Sequence, residues 1–137
     1  MRSRGFILFL LVLFITLNGC QLQHNQDLYD VICAKAKQGD TVDLRELSSF
    51  HWDALIVVEP YTQIENLALK TNTDLSNIKY NRIESVDSYN LLVFLDKGRS
   101  VEICQSILFF SPTNRILKRD ELLFLKSNDN IFRQMRE

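Results

Sequence analysis

Hydrophobic positions recur with helical spacing in two segments of the chain. In residues 27–38 the apolar positions share one helical face: Leu28, Tyr29, Ile32 and Ala36. Gly39 follows this segment and is a typical helix stop. Further along, Thr62 and Glu65 have the spacing of a capping box, which predicts a second helix that runs to about Lys70.

Uninterrupted apolar runs predict buried strands. One such run lies in residues 52–58 and is bounded by Pro60, and another occupies residues 91–95. Asp96-Lys97-Gly98-Arg99 follows the second run and precedes residues 100–110, which predicts a hairpin with Gly98 at positive φ.

The C-terminal segment has weaker signals. Ser111-Pro112 predicts the start of a helix that extends through Lys118, and residues 122–125 and 131–135 predict the last two strands. This order of elements predicts the α+β class. We expect residues 27–137 to form a small single domain, with an antiparallel sheet and two helices packed on one of its faces.

Composition excludes several classes of protein. Of the 137 residues 46% are hydrophobic, and 16 basic against 17 acidic side chains leave a net charge of −1. These values exclude collagen, low-complexity disorder and a polybasic nucleic-acid-binding protein. After residue 19 the only glycines are Gly39 and Gly98, so a P-loop or dinucleotide fingerprint is absent. No metal-binding or hydrolase motif is present either, and we expect no metal, no cofactor and no nucleic-acid partner.

The N-terminus has the pattern of an export signal. Arg2 and Arg4 precede residues 6–17, of which eleven of twelve are apolar. A transmembrane helix needs about 20 apolar residues, so this run is too short for a permanent span. The pattern predicts that residues 1–19 are a signal peptide.

The end of this segment, Leu17-Asn18-Gly19-Cys20, resembles the lipobox of bacterial lipoprotein precursors. The resemblance implies cleavage between Gly19 and Cys20 and acylation of Cys20, followed by a lipidated flexible tether in residues 20–26. Gln21 stands where an aspartate favours retention in the inner membrane, so the resemblance implies an outer-membrane lipoprotein facing the periplasm. The outer face of the cytoplasmic membrane is the alternative location, and a plain secretory signal is the alternative interpretation of the segment.

Two cysteines remain once Cys20 is assigned to lipid. An even number of remaining cysteines is typical of proteins in an oxidising compartment, so we expect a disulfide between Cys33 and Cys104. The alternative is two buried thiols that act as small hydrophobic residues.

The most distinctive polar and aromatic segment precedes the first predicted strand. It contains His51, Trp52 and Asp53, which are candidate contacts for a partner. The alternative makes Trp52 an anchor of the core. Over about residues 50–104 the chain resembles small bacterial lipoproteins and exported proteins that have a tryptophan-aspartate strand start and a proline-tyrosine-threonine helix entry; the resemblance implies a fold and no activity.

Two functions from different classes follow. The first is a non-enzymatic envelope lipoprotein that binds another envelope protein or assists its assembly. The alternative is a small enzyme that acts on cell-wall or lipid substrates with four polar side chains: His51, Asp53, Arg82 and Glu84.

Overall fold

In the described residues, the fold consists of two four-stranded sheets and two helices. The computed structural model describes residues 21–47, 49–128 and 130–135. In chain order the elements are α1 (Gln26–Lys37), β1 (Thr41–Asp43), β2 (Ala54–Val58), α2 (Ile64–Thr71), β3 (Asn90–Asp96), β4 (Arg99–Ser106), β5 (Phe109–Ser111), β6 (Ile116–Lys118), β7 (Leu123–Asn128) and β8 (Ile131–Gln134). Short 3-10 turns lie at Ser76–Ile78, Ile83–Ser85 and Arg119–Glu121.

The strands form two separate sheets. Sheet A has the order β4-β3-β2-β6 and is antiparallel throughout. Sheet B has the order β1-β7-β8-β5, in which only the pairing of β5 with β8 is parallel. All five residues of β2 and the first six of β3 are buried, because sheet A is covered on both faces. This burial explains the continuous apolar runs in these two strands.

Sheet A separates two hydrophobic cores. The first core lies between sheets A and B and includes side chains from α1, such as Ile32, together with Phe94 and Phe124. The second core lies on the other face of sheet A, where α2 and the turns after it contribute side chains such as Leu67 and Ile78. The molecule therefore has three layers: α2 with its turns, sheet A, and sheet B with α1 beside it.

The α+β class and the small single domain with two helices are confirmed. The arrangement differs from the expected one, because the strands form two sheets and the helices contribute to cores on opposite faces of sheet A. The second sheet is assembled from short strands far apart in sequence, such as β1 and β7. Local pattern does not encode such pairings.

The predicted helix from Pro112 to Lys118 is wrong. This segment forms a turn and then β6, which pairs with β2 at the edge of sheet A. Asn114 has a φ of 55° and its backbone N–H donates to the carbonyl of Val57 at 2.8 Å, which directs the chain into the strand. Leu117 is fully buried in the first core, so pairing and burial replace the helix. The last two strands were correctly expected near residues 122–125 and 131–135.

The predicted capping box at the start of α2 is wrong as well. The Thr62 hydroxyl donates to the carbonyl of Glu59 at 2.7 Å instead of accepting from the helix. The backbone N–H of Ile64 donates at 2.9 Å to Oε1 of Glu84, which lies in the turn Ile83–Ser85. A carboxylate 20 residues away in sequence therefore accepts the hydrogen bond from the first backbone N–H of the helix.

Residues 21–26 are not a free spacer. The backbone N–H of Leu22 donates to the carbonyl of Asn77 at 2.8 Å, and that of Asn25 donates to the carbonyl of Ile103 at 3.1 Å. Nδ1 of His24 accepts from the backbone N–H of Gln105 at 2.8 Å. These bonds attach the segment to the edge of β4 and to the turn Ser76–Ile78, so residues 21–26 already belong to the fold, which the sequence predicts to begin near Asp27.

Candidate interaction surface

Trp52 belongs to the first core. Its side chain is 4% exposed, and its indole Nε1–H donates to the carbonyl of Leu47 at 2.6 Å. The ring meets Phe94 edge to face, with 5.1 Å between the centroids. The proposed role of Trp52 as a partner contact is therefore corrected: because the indole is buried, it acts as the core anchor of the alternative interpretation.

Arg119 holds the segment around Trp52 in place. Its guanidinium lies 4.4 Å from the centre of the Trp52 ring. It also donates to three backbone carbonyls, those of Arg45, Leu47 and Trp52, at 2.8, 2.9 and 3.2 Å. These bonds connect the turn before β2 to the turn after β6, so Arg119 is a structural residue that the sequence pattern did not reveal.

His51 and Asp53 have different surroundings although both are exposed. One carboxylate oxygen of Asp53 accepts from the backbone N–H of Lys97 at 3.1 Å, which fastens the β3–β4 turn. Lys97 and Gly98 form this two-residue turn with φ values of 50° and 80°, which confirms the predicted hairpin. Asp53 is thus explained by the fold, whereas the role of the exposed His51 as a partner contact stays a prediction.

The four polar residues of the enzyme hypothesis are not brought together. His51 and Asp53 precede β2, whereas Arg82 and Glu84 lie at a turn that contacts Tyr61, beyond the other end of the strand. The five residues of β2 separate the two pairs by more than about 13 Å. Within the described ranges, no three His, Cys, Asp or Glu side chains form a group that would hold a metal ion.

Cys33 and Cys104 are both free thiols, which corrects the predicted disulfide. Cys104 is fully buried in the first core, and burial raises its pKa to about 12. Burial, followed by a hydrogen bond with Cys33, also raises the pKa of Tyr29 to about 12. The even number of cysteines indicated a pair, but the distance between the thiols depends on how α1 packs on β4, which the sequence does not give.

The predicted cleavage and lipidation site, Gly19 and Cys20, lies outside the described residues, as does the rest of the predicted signal peptide in residues 1–19. In the part of the chain that the structure describes, no helix has the length and hydropathy to cross a membrane. The acylation of Cys20 stays a prediction.

The outer face of sheet B exposes several apolar side chains. Phe110, Phe124 and Phe132 point into the first core, so the alternate residues point outward. The apolar outward residues are Phe109, Leu123, Leu125 and Ile131. Leu125 is 47% and Ile131 38% exposed, and Met135 just beyond β8 is 41% exposed.

Strand register places two of these apolar side chains side by side and a third beside Arg133. Ile131 is paired with Phe109 on β5, and Leu125 is paired with Arg133 on β8. Both described helices pack into the cores and leave this face open to solvent. Contiguous exposed apolar side chains of this kind mark protein interaction sites.

Charges border this apolar surface. Arg133 lies within it and is exposed. At one edge Asp43 and Arg45 form an ion pair with 2.9 Å between Nη2 and Oδ2, and hydrogen bonds from Arg45 lower the pKa of Asp43. An apolar centre with a charged rim that includes arginine is typical of surfaces that bind another protein.

Sequence reasoning missed this surface although it expected both strands. Residues 122–125 and 131–135 were predicted as strands, but nothing in them shows which face a neighbouring layer covers. Because Phe124 alternates with Leu123 and Leu125, both faces of this strand carry apolar residues, and the sequence pattern does not indicate which face is exposed.

Comparisons with protein-family models, with curated proteins and with solved structures find no match to this chain. The resemblance over residues 50–104 therefore also stays a prediction.

Proposed function

We propose that this protein is a lipid-anchored component of the bacterial envelope that faces the periplasm and binds another envelope protein without catalysing a reaction. Its anchor is Cys20, and its binding surface is the outer face of sheet B. The observation that carries the proposal is the set of exposed apolar side chains on this face, which no described element covers.

The chemistry of the face favours a protein partner. Leu125 and Ile131 offer aliphatic contacts, and Arg133 between them offers a planar hydrogen-bonding group. Buried apolar contacts with an arginine among them are typical of hot spots in protein interfaces. We therefore expect the partner to present an apolar surface with a carboxylate or carbonyl opposite Arg133.

Crosslinking in cells tests this binding surface. A photoreactive amino acid at Leu125 should crosslink to one discrete protein of the envelope, whereas the same group at the exposed Glu46, which lies on none of the strands of sheet B, should not. The double variant Leu125→Asp, Ile131→Asp should abolish a crosslink formed from position 133, because two charges disrupt the apolar contact. Equal crosslinking from positions 46 and 125 would contradict the proposal.

The anchor is supported by the lipobox-like sequence at residues 17–20. If Cys20 carries two or three acyl chains, release from the membrane becomes very slow, since each buried methylene contributes about 0.8 kcal/mol. The anchor and the binding surface are thus separate parts of the proposal, and each has its own test.

A further inference from the structure

The residues next to the proposed anchor lie on one side of the molecule. The side-chain amide of Gln21 donates to the carbonyl of Ser76 at 3.1 Å, and the backbone of Leu22 is bonded to Asn77. Leu22 also packs against the second core. The chain that precedes Gln21 therefore leaves the described part of the structure beside Ser76.

Ser76 lies on an open groove between α2 and the turn that follows it. The groove has a volume of about 940 Å3, and Leu69 of α2, Ser76 and Lys79 contribute to its lining. The surface that carries this groove therefore lies beside the residue that would carry the lipid.

Two large apolar side chains project from this surface. Leu69 is 82% and Tyr80 73% exposed, the two highest values among the large hydrophobic residues of the described chain. Lys79 lies beside both the groove and Tyr80, since it lines the groove and its Nζ lies 5.8 Å from the centre of the Tyr80 ring. Leucine and tyrosine with a neighbouring lysine are the residues that anchor proteins at the headgroup level of a membrane.

The charges of the groove lining are mainly acidic. The lining contains one base, Lys79, and three acids, Glu65, Asp74 and Glu84. Asp74 accepts two hydrogen bonds from Ser76, which lower its pKa, and its carboxylate lies 3.8 Å from Arg99. A lining of this charge does not favour anionic lipid, so the contact depends on the exposed apolar residues.

We propose that the surface around Leu69, Ser76, Lys79 and Tyr80 lies against the phospholipid bilayer that holds the acyl chains of Cys20. This inference rests on the proposed lipid anchor. A bilayer is the expected occupant because the chain immediately before Gln21 would enter it, which brings these side chains to its interface. The layer order then turns the outer face of sheet B away from the membrane, where a partner protein has access.

Amine labelling of the acylated protein tests the orientation. The full-length chain is expressed, and the mature acylated protein is reconstituted on neutral phosphatidylcholine vesicles and treated with an amine-acetylating reagent that does not cross membranes. Mass spectrometry measures modification at each lysine and compares it with the Cys20→Ser protein in solution. Modification of Lys79 should fall by about fivefold or more on vesicles, because its amine lies among the headgroups.

Lys37 is the matched internal control. It is exposed at the end of α1, about 17 Å along the helix from Gln26, and its modification should be equal in the two preparations. The double variant Leu69→Glu, Tyr80→Glu should still float with vesicles but lose the protection of Lys79. Both side chains are highly exposed, so these substitutions remove little buried surface, and circular dichroism checks that the fold is retained.

The outcomes separate the two proposals. Protein that floats with vesicles but has Lys79 as reactive as in Cys20→Ser would overturn the inference and leave the anchor intact. Retention of Lys79 protection in the double variant would also overturn the inference. Protection of Lys79 in cells but not on protein-free vesicles would overturn it too, because that result would indicate a protein partner at this surface. Failure of the wild type to float would overturn the proposed anchor.

Discussion

At the scale of single residues, Arg119 connects segments that the sequence keeps apart. Its guanidinium stacks on Trp52 and donates to the carbonyls of three residues in two segments. A lysine in this position would keep the charge but lose the planar fork that reaches several carbonyls at once. The carbonyls of Arg45 and Trp52 would then lose this donor, whereas the carbonyl of Leu47 would keep the indole N–H of Trp52.

We therefore expect Arg119→Lys to lower the free energy of unfolding by about 1–3 kcal/mol, as measured by urea denaturation. Arg115→Lys is the matched control, because Arg115 is exposed and lies in the same segment. This control should change stability by less than about 0.5 kcal/mol. Equal stabilities of the two variants would show that the guanidinium contacts do not support the fold.

The sequence around Trp52 does not decide whether this residue is a partner contact or a core anchor. A tryptophan beside histidine and aspartate is compatible with both a binding edge and a core anchor. The deciding contacts come from Phe94, which is 42 residues away, and from Arg119, which is 67 residues away. Local pattern contains neither of them.

At the scale of elements, the parts predicted correctly are those defined by local chemistry. The β3–β4 hairpin follows from two apolar runs joined by Lys97-Gly98, whose positive φ values fit the twist of the strands. The first helix follows from its apolar face and its stop near Gly39. The start of α2 was wrong in detail, because Glu84 takes the place of the expected local cap.

The contact between Glu84 and the start of α2 leads to a prediction. Glu84→Ala should lower the free energy of unfolding by about 1 kcal/mol, because the N–H of Ile64 loses its acceptor and the helix start loses a favourable charge. Glu65→Ala removes the carboxylate of the expected capping box and serves as the control, with a change below about 0.5 kcal/mol. A larger loss for Glu65→Ala in thermal or urea denaturation would restore the local cap and contradict the contact from Glu84.

At the scale of the whole molecule, the three layers give the chain two distinct sides. The α2 layer carries the residues next to Cys20, and sheet B presents its apolar outer face on the other side of sheet A. Sequence reasoning expected the anchor and a partner, but not the position of either surface. These positions depend on the pairing of strands such as β1 with β7, which are far apart in the chain.

The central claim is that the protein is held in the envelope by lipid on Cys20. Mass spectrometry of the N-terminal peptide of the mature protein, extracted from the envelope fraction, tests it most directly. We expect a peptide that begins at Cys20 and carries the added mass of a diacylglyceryl group and an acyl chain, and we expect Cys20→Ser to abolish this species. A mature N-terminus at another residue, or an unmodified Cys20 in the bulk of the protein, would contradict the account.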